Sequence, residues 1–213
     1  MATKKIGKSS KISVTPDGNF AACGFDDYPL HLLDMRDGQT VEELRECRSL
    51  VVSPYESVRF VDKTRPEIQT MEGVCIAKLE RETFAILSIA FGLGQIAISE
   101  SGGSVRCFET KTEKTIWRYQ PPKGCHVLAL GYSQQHNLFM GVLWPYEKGG
   151  AKSLLIFDAK IGDIQTSYPL GQSGKEVFCL HGKYLMSSEG WLVECSTGQI
   201  CGYFNFPTKE YSD

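Results

Sequence analysis

Three stretches of the chain are built alike. LLDMRDGQTV (32–41), IFDAKIGDIQ (156–165) and LVECSTGQIC (192–201) each place two apolar residues before an acid, then three variable residues, a glycine, and a polar residue before apolar character returns. The acid can accept hydrogen bonds from turn amides, the glycine supplies a positive φ, and the flanking alternation suits strands. Each stretch therefore reads as a β-hairpin. Two looser copies follow the same frame. RFVDKTRPEIQT (59–70) has Asp62 in the acid position and Pro66 where the glycine would stand, and RCFETKTEKTIWRY (106–119) has Glu109 and Glu113. Asp34, Asp62, Glu109, Asp158 and Glu194 thus mark five units, spaced 28, 47, 49 and 36 residues apart.

The upstream half of each unit repeats as well. ISVTPDGNFAACGF (12–25), AILSIAFGLGQIAISES (85–101), VLALGYSQQHNLFMGVLW (127–144) and VFCLHGKYLMSSEG (177–190) all read as a strand, a polar or glycine-rich turn, and a more apolar strand. Four short strands per unit, five times over, with no convincing amphipathic helix, predict an all-β fold: a small β-propeller of five blades with up to four antiparallel strands each. A lone four-stranded sheet cannot bury both faces, whereas stacked neighbours cover them. Ala21, Ala22, Gly24, Ala90, Gly92, Ala97 and Gly141 suit inner strands that crowd toward an axis. The second unit fits least: LVV and SVRFV are its strand candidates, VEELREC reads as a helical turn, and MEGVCIAKLERETFAIL (71–87) as extra strands shared with the third unit. A sandwich or an incomplete six-bladed ring stays open as an alternative. The expected organisation is a flexible segment over 1–11, one propeller domain over 12–206 and a tail over 207–213.

The pattern resembles the WD40-like or quinoprotein-like propeller superfamily in a divergent form, from about Ile12 to Phe206. The resemblance lies in the strand-turn-strand order and the outer hairpin with its acid and glycine. The Trp-Asp ending is absent, since Leu33, Val61, Phe108, Phe157 and Val193 precede the acids. The resemblance therefore implies a fold and no particular partner.

A net charge of -2 and a pI near 6.1 supply no basic field for nucleic acid. No run of 18 apolar residues occurs, so no membrane partner is expected; the greasiest stretch, FAILSIAFGLGQIAI (84–98), reads as two buried strands and a turn. Eight cysteines lie mostly in apolar runs without a CxxC pair, which suggests free thiols and a cytoplasmic setting; Cys195 and Cys201 flank a turn but are not expected to bridge. The four histidines form no HxH or HExxH seed, so neither metal nor cofactor is expected. His31 reads as a partly buried strand residue and His136 as an exposed turn residue. GLGQ (92–95) and SESGGS (99–104) read as turns, and no GxSxG elbow appears.

A binding function is the stronger expectation. Large aromatics in loops dominate interface energetics when desolvated. Phe25, Tyr28, Tyr55, Trp144 and Tyr146 meet that description, and Asp26 and Asp27 add charge beside the first two. Trp191, inside EGWLVE, reads as core. Trp144 and Tyr146 fall in the longest apparent insertion, LWPYEKGGAKS (143–153). Asp26, Asp27, Glu100 and Glu189 would gather at one rim. A compact acidic binder of this kind is similar in style to bacterial immunity proteins that block a cognate toxin. Two other readings stay open: an intracellular assembly scaffold, and a funnel-site enzyme or small-ligand binder using His126, His181 and Arg106.

Overall fold

The structure is a computed structural model, and it describes residues 9–25, 29–45, 47–80, 85–147, 150–171, 177–180, 184–187, 191–194, 197 and 199–203. Its regular elements are twenty strands in five four-stranded antiparallel sheets, each paired in chain order. Sheet 1 is β1 (Ser9–Val14), β2 (Phe20–Phe25), β3 (Leu30–Asp34) and β4 (Thr40–Leu44). Sheet 2 is β5 (Ser49–Val52), β6 (Val58–Asp62), β7 (Glu67–Thr70) and β8 (Cys75–Lys78). Sheet 3 is β9 (Ile86–Gly92), β10 (Gln95–Glu100), β11 (Val105–Glu109) and β12 (Thr115–Tyr119). Sheet 4 is β13 (Cys125–Ser133), β14 (Leu138–Pro145), β15 (Lys152–Asp158) and β16 (Ile164–Gly171). Sheet 5 is β17 (Val177–Leu180), β18 (Tyr184–Ser187), β19 (Trp191–Glu194) and β20 (Ile200–Tyr203).

The repeated acids close the turn between third and fourth strands. In four sheets the amide of the acid donates to the carbonyl five residues on: Asp34 to Gln39, Glu109 to Lys114, Asp158 to Asp163 and Glu194 to Gln199. The short aspartates reach turn amides directly, Asp34 accepting from Arg36 N (2.9 Å) and Asp158 from Lys160 N (2.8 Å). The longer glutamates take a threonine hydroxyl three residues later instead, Thr112 for Glu109 (2.8 Å) and Thr197 for Glu194 (2.9 Å). A further tie joins this turn to the one between first and second strands. Met35, Thr110 and Ala159, each following an acid, donate to the carbonyls of Asn19, Gly94 and Asn137.

Sheet 2 departs from the expected register. Asp62 ends its second strand, not its third, and is buried. The equivalent position is Thr70, whose amide donates to Val74 O (2.9 Å) in a turn one residue shorter, while its hydroxyl accepts from Val74 N (3.3 Å). With Thr70 in place the spacings become 36, 39, 49 and 36 residues, far more even than those built on Asp62. The helical turn expected at VEELREC does not form over its first four residues, since Thr40–Leu44 is the outer strand of sheet 1. The segment after Met71 divides cleanly: β8 closes sheet 2 and β9 opens sheet 3. The two strands and turn expected over 84–98 are β9 and β10 with Gly94 at φ +69°; β10 is buried from Ile96 on, whereas Ile86–Ile89 of β9 are only half-buried.

The chain forms two compact units. The first holds residues 1–82, 93–96 and 108–115; the second holds 83–92, 97–107 and 116–213. In the first, Ala22, Leu30 and Leu32 of sheet 1 pack on Leu50, Val52 and Val61 of sheet 2, each buried leucine or valine contributing about 1.5–3 kcal/mol. The outward amide of Val52, on the edge strand of sheet 2, donates to Ser13 Oγ at 2.9 Å. Arg59, buried on β6, bonds Gln69 Oε1 (3.1 Å) and reaches Glu42 on β4 of the neighbouring sheet. The Glu56 carboxylate takes the Gly94 amide and the Thr110 hydroxyl (3.0 Å), bridging two turns of sheet 3.

The second unit repeats the serine tie: Leu130 N donates to Ser88 Oγ at 2.9 Å. That amide is released by a bulge between Leu128 and Gly131, where Ala129 takes φ +52°. Leu138, Met140, Leu154 and Ile156 of sheet 4 pack with Val193 of sheet 5. Gly141 sits where a Cβ would lie 2.5 Å from Val127 Cγ1, so only glycine lets β13 and β14 approach this closely.

Candidate functional site

Of the seven expected contact residues, Asp26, Asp27 and Tyr28 lie outside the described residues, and Phe25 is described only as the backbone end of β2. Tyr55 is half-buried in the turn between the first and second strands of sheet 2. There its amide and that of Glu56 donate to Ser53 Oγ, both at 3.2 Å. Trp144 and Tyr146 stand at the end of β14, where second and third strands connect. In an antiparallel meander those two kinds of connection lie at opposite ends of a sheet, so Tyr55 belongs to a different kind of end from Phe25, Trp144 and Tyr146.

The apparent insertion over 143–153 is shorter than expected. Leu143, Trp144 and Pro145 are paired with β13, and Lys152 and Ser153 belong to β15, leaving only 146–151 as connection. Register then builds a cluster. His126 faces Trp144 across the β13–β14 pair. One step beyond the Leu143–Ser153 pair, the buried Lys152 places its ammonium 3.6 Å over the Trp144 ring, a cation–π contact shielded from water. Tyr146 packs its ring on His126 at 4.8 Å between centroids. Its amide donates to Gly124 O (2.7 Å) and its hydroxyl to Ser101 O in the β10–β11 turn (3.3 Å). Tyr146 nonetheless remains 59% exposed, a large residue held at both ends and open to solvent. Burial holds the His126 imidazole below its ordinary pKa, because desolvation disfavours the charged form.

Glu100 is not the exposed rim acid expected from the sequence. It is buried and its carboxylate pairs with Arg106 at 2.9 Å, an ion pair withdrawn from solvent. The charge placed in a turn by sequence reasoning is drawn inside by the arginine two residues into the next strand. His136 is half-buried, not exposed; His31 is half-buried on β3, as expected. His181 and Glu189 lie outside the described residues, and the side chain of Trp191 is not described. Cys201 is a free thiol. Among the described residues no group of histidines, cysteines and acids could hold a metal ion, and no helix is long and apolar enough to cross a membrane.

Sequence reasoning found the two aromatics of the cluster but missed Lys152 and Ser101, and it considered His126 only as a funnel base. The pairing of Trp144 with Lys152 requires the β14–β15 register, for which the sequence offers no marker. No protein-family model matches the chain, and no curated protein matches it.

Proposed function

We propose that the five sheets are blades of a small β-propeller and that the protein acts as a non-enzymatic binder of another protein. Support for the blades comes from five meanders in chain order, from the tie between turns repeated in three sheets, and from the serine-to-amide link repeated between first strands. Ile12, 67% exposed, and Val14 leave apolar surface on the face of sheet 1 opposite Ser13, the kind of surface a closing neighbour covers.

The binding reading is carried by Tyr146. A large exposed aromatic that is already oriented by Ser101, Gly124 and His126 loses little freedom when a partner covers it. The partner class follows from the sequence. Two adjacent carboxylates, Asp26 and Asp27, beside Phe25 and Tyr28 suit a basic surface, and an immunity protein that inhibits a cognate toxin is the role proposed for such a binder.

The test is affinity capture from the native host with wild-type, Tyr146→Ala and Asp26→Lys/Asp27→Lys chains, all shown to be folded. One stoichiometric partner retained by wild type and weakened at least about 30-fold by Tyr146→Ala supports the reading, since a central aromatic contributes about 2 kcal/mol or more. Inhibition of that partner's toxicity supports the immunity role. A large multi-subunit assembly would favour a scaffold. Equal capture by all three chains would remove the proposed surface.

A further inference from the structure

Three turns between first and second strands share one form, a hydroxyl residue closing the first strand and an apolar residue opening the second five positions later. They are Thr15 to Phe20, Ser53 to Val58 and Ser133 to Leu138. In the first two the hydroxyl is satisfied by its own turn. Thr15 Oγ1 accepts from Phe20 N (3.0 Å) and donates to Asp17 Oδ1 (2.6 Å), and Ser53 Oγ accepts the amides of Tyr55 and Glu56.

The third turn is closed differently. Proline follows the hydroxyl residue in the first two turns (Pro16, Pro54), whereas Gln134 follows Ser133. Asn137 adopts φ +53°, and its side chain accepts from the Tyr132 hydroxyl at 2.9 Å. With the turn held by Tyr132 and Asn137, Ser133 Oγ is left fully buried without a hydrogen-bond partner, and so is His136 Nε2 in the same turn. Two buried polar atoms without partners, three residues apart in the chain, are rare unless a third group joins them.

We propose that the β13–β14 turn is an internal hydration site in which one water molecule bridges Ser133 Oγ and His136 Nε2. Water both donates and accepts, so it completes the pair whichever tautomer the imidazole adopts, and buried waters take two to four such partners.

The experiment compares the full chain with its Ser133→Ala variant by water–protein cross-relaxation NMR and thermal unfolding. A long-lived water contacting the protons of Ser133 and His136, lost in Ser133→Ala together with a fall in Tm of about 2–4 °C, is the expected result. The sign of the Tm change discriminates, because deleting a hydroxyl that has no partner removes a desolvation penalty. No such water in the wild type, or an unchanged or raised Tm in the variant, would overturn the proposal.

Discussion

Trp117 lies against Gly162 so closely that a Cβ on the glycine would stand 2.5 Å from the indole. Trp117 belongs to the outer strand of sheet 3, and Gly162 to the turn between third and fourth strands of sheet 4. The indole Nε1 donates to Ala159 O at 2.9 Å, and the ring stacks on Phe157 at 5.8 Å. Gly162 also holds φ +76°. The motif glycine is therefore fixed twice, by its own backbone and by the neighbouring sheet. Gly162→Ala is expected to destabilise the protein by at least about 2 kcal/mol, combining the left-handed penalty with displacement of the indole. Gly38→Ala, with φ +73° and no neighbouring atom within 4 Å of the added Cβ, should show the backbone share alone, about 1–2 kcal/mol. Urea unfolding of both variants measures the difference. Equal losses would mean that the Trp117 contact contributes nothing.

Adjacent glutamates on β4 provide a second test. Glu42 pairs with Arg59, whose side chain is only 2% exposed, while Glu43 pairs with the exposed Arg45 at 2.6 Å. Removing Glu42 leaves a buried guanidinium with less compensation. Because Glu42 itself is partly open to water, Glu42→Gln should cost about 1–3 kcal/mol, below the full range for a wholly buried pair. Glu43→Gln should change stability by no more than about 0.5 kcal/mol, as exposed pairs contribute little. Denaturant midpoints compared in one buffer decide between them, and a larger loss at Glu43 would contradict the assignment.

Much of the hairpin architecture was legible because it rests on local chemistry. An acid and a glycine four residues apart can be recognised without neighbours, and Asp34–Gly38 and Asp158–Gly162 form the expected turns. The second sheet was misread because Thr70 does with a hydroxyl and a shorter turn what the acids do elsewhere. Asp62 offered a false match at the end of the wrong strand. Trp144 and Tyr146 were visible as aromatics after a strand, but their surroundings were not. Lys152 over Trp144, Ser101 under the Tyr146 hydroxyl and the withdrawal of Glu100 onto Arg106 are consequences of register and of packing between sheets.

Asp34 makes the turn of sheet 1 sensitive to acid. Hydrogen bonds from the Arg36 side chain, with the Arg36 amide second, lower its carboxyl to about 2. A group depressed in the folded state contributes fully above its unfolded value, near 3.8, and that contribution disappears as pH falls through about 2. Arg36→Ala removes the larger cause and keeps the amide, so the titration midpoint should rise toward 3.8 and stop short of it. Carboxyl-carbon NMR titration of wild type and variant follows this directly. An unmoved midpoint in the variant would show that the guanidinium does not hold the carboxylate.

The cysteines should separate by reactivity. Burial pushes the Cys47 thiol up to about 11, so at pH 8 almost none of it is thiolate, the form that attacks alkylating agents. Cys75 and Cys201 are exposed free thiols. Cys107 is buried, and its thiol is driven far above the ordinary range by desolvation. Iodoacetamide at pH 8, followed by peptide mass spectrometry, should label Cys75 and Cys201 first, Cys47 at least about tenfold more slowly, and Cys107 only on unfolding. Sub-denaturing urea adds a structural reading, because Cys47 packs beside the core shared by sheets 1 and 2. If those sheets unfold as one cooperative unit, Cys47 labelling should rise along the same transition as the loss of β-sheet circular dichroism. Labelling of Cys47 as fast as Cys201 in native buffer would mean that its side chain is not held against this core.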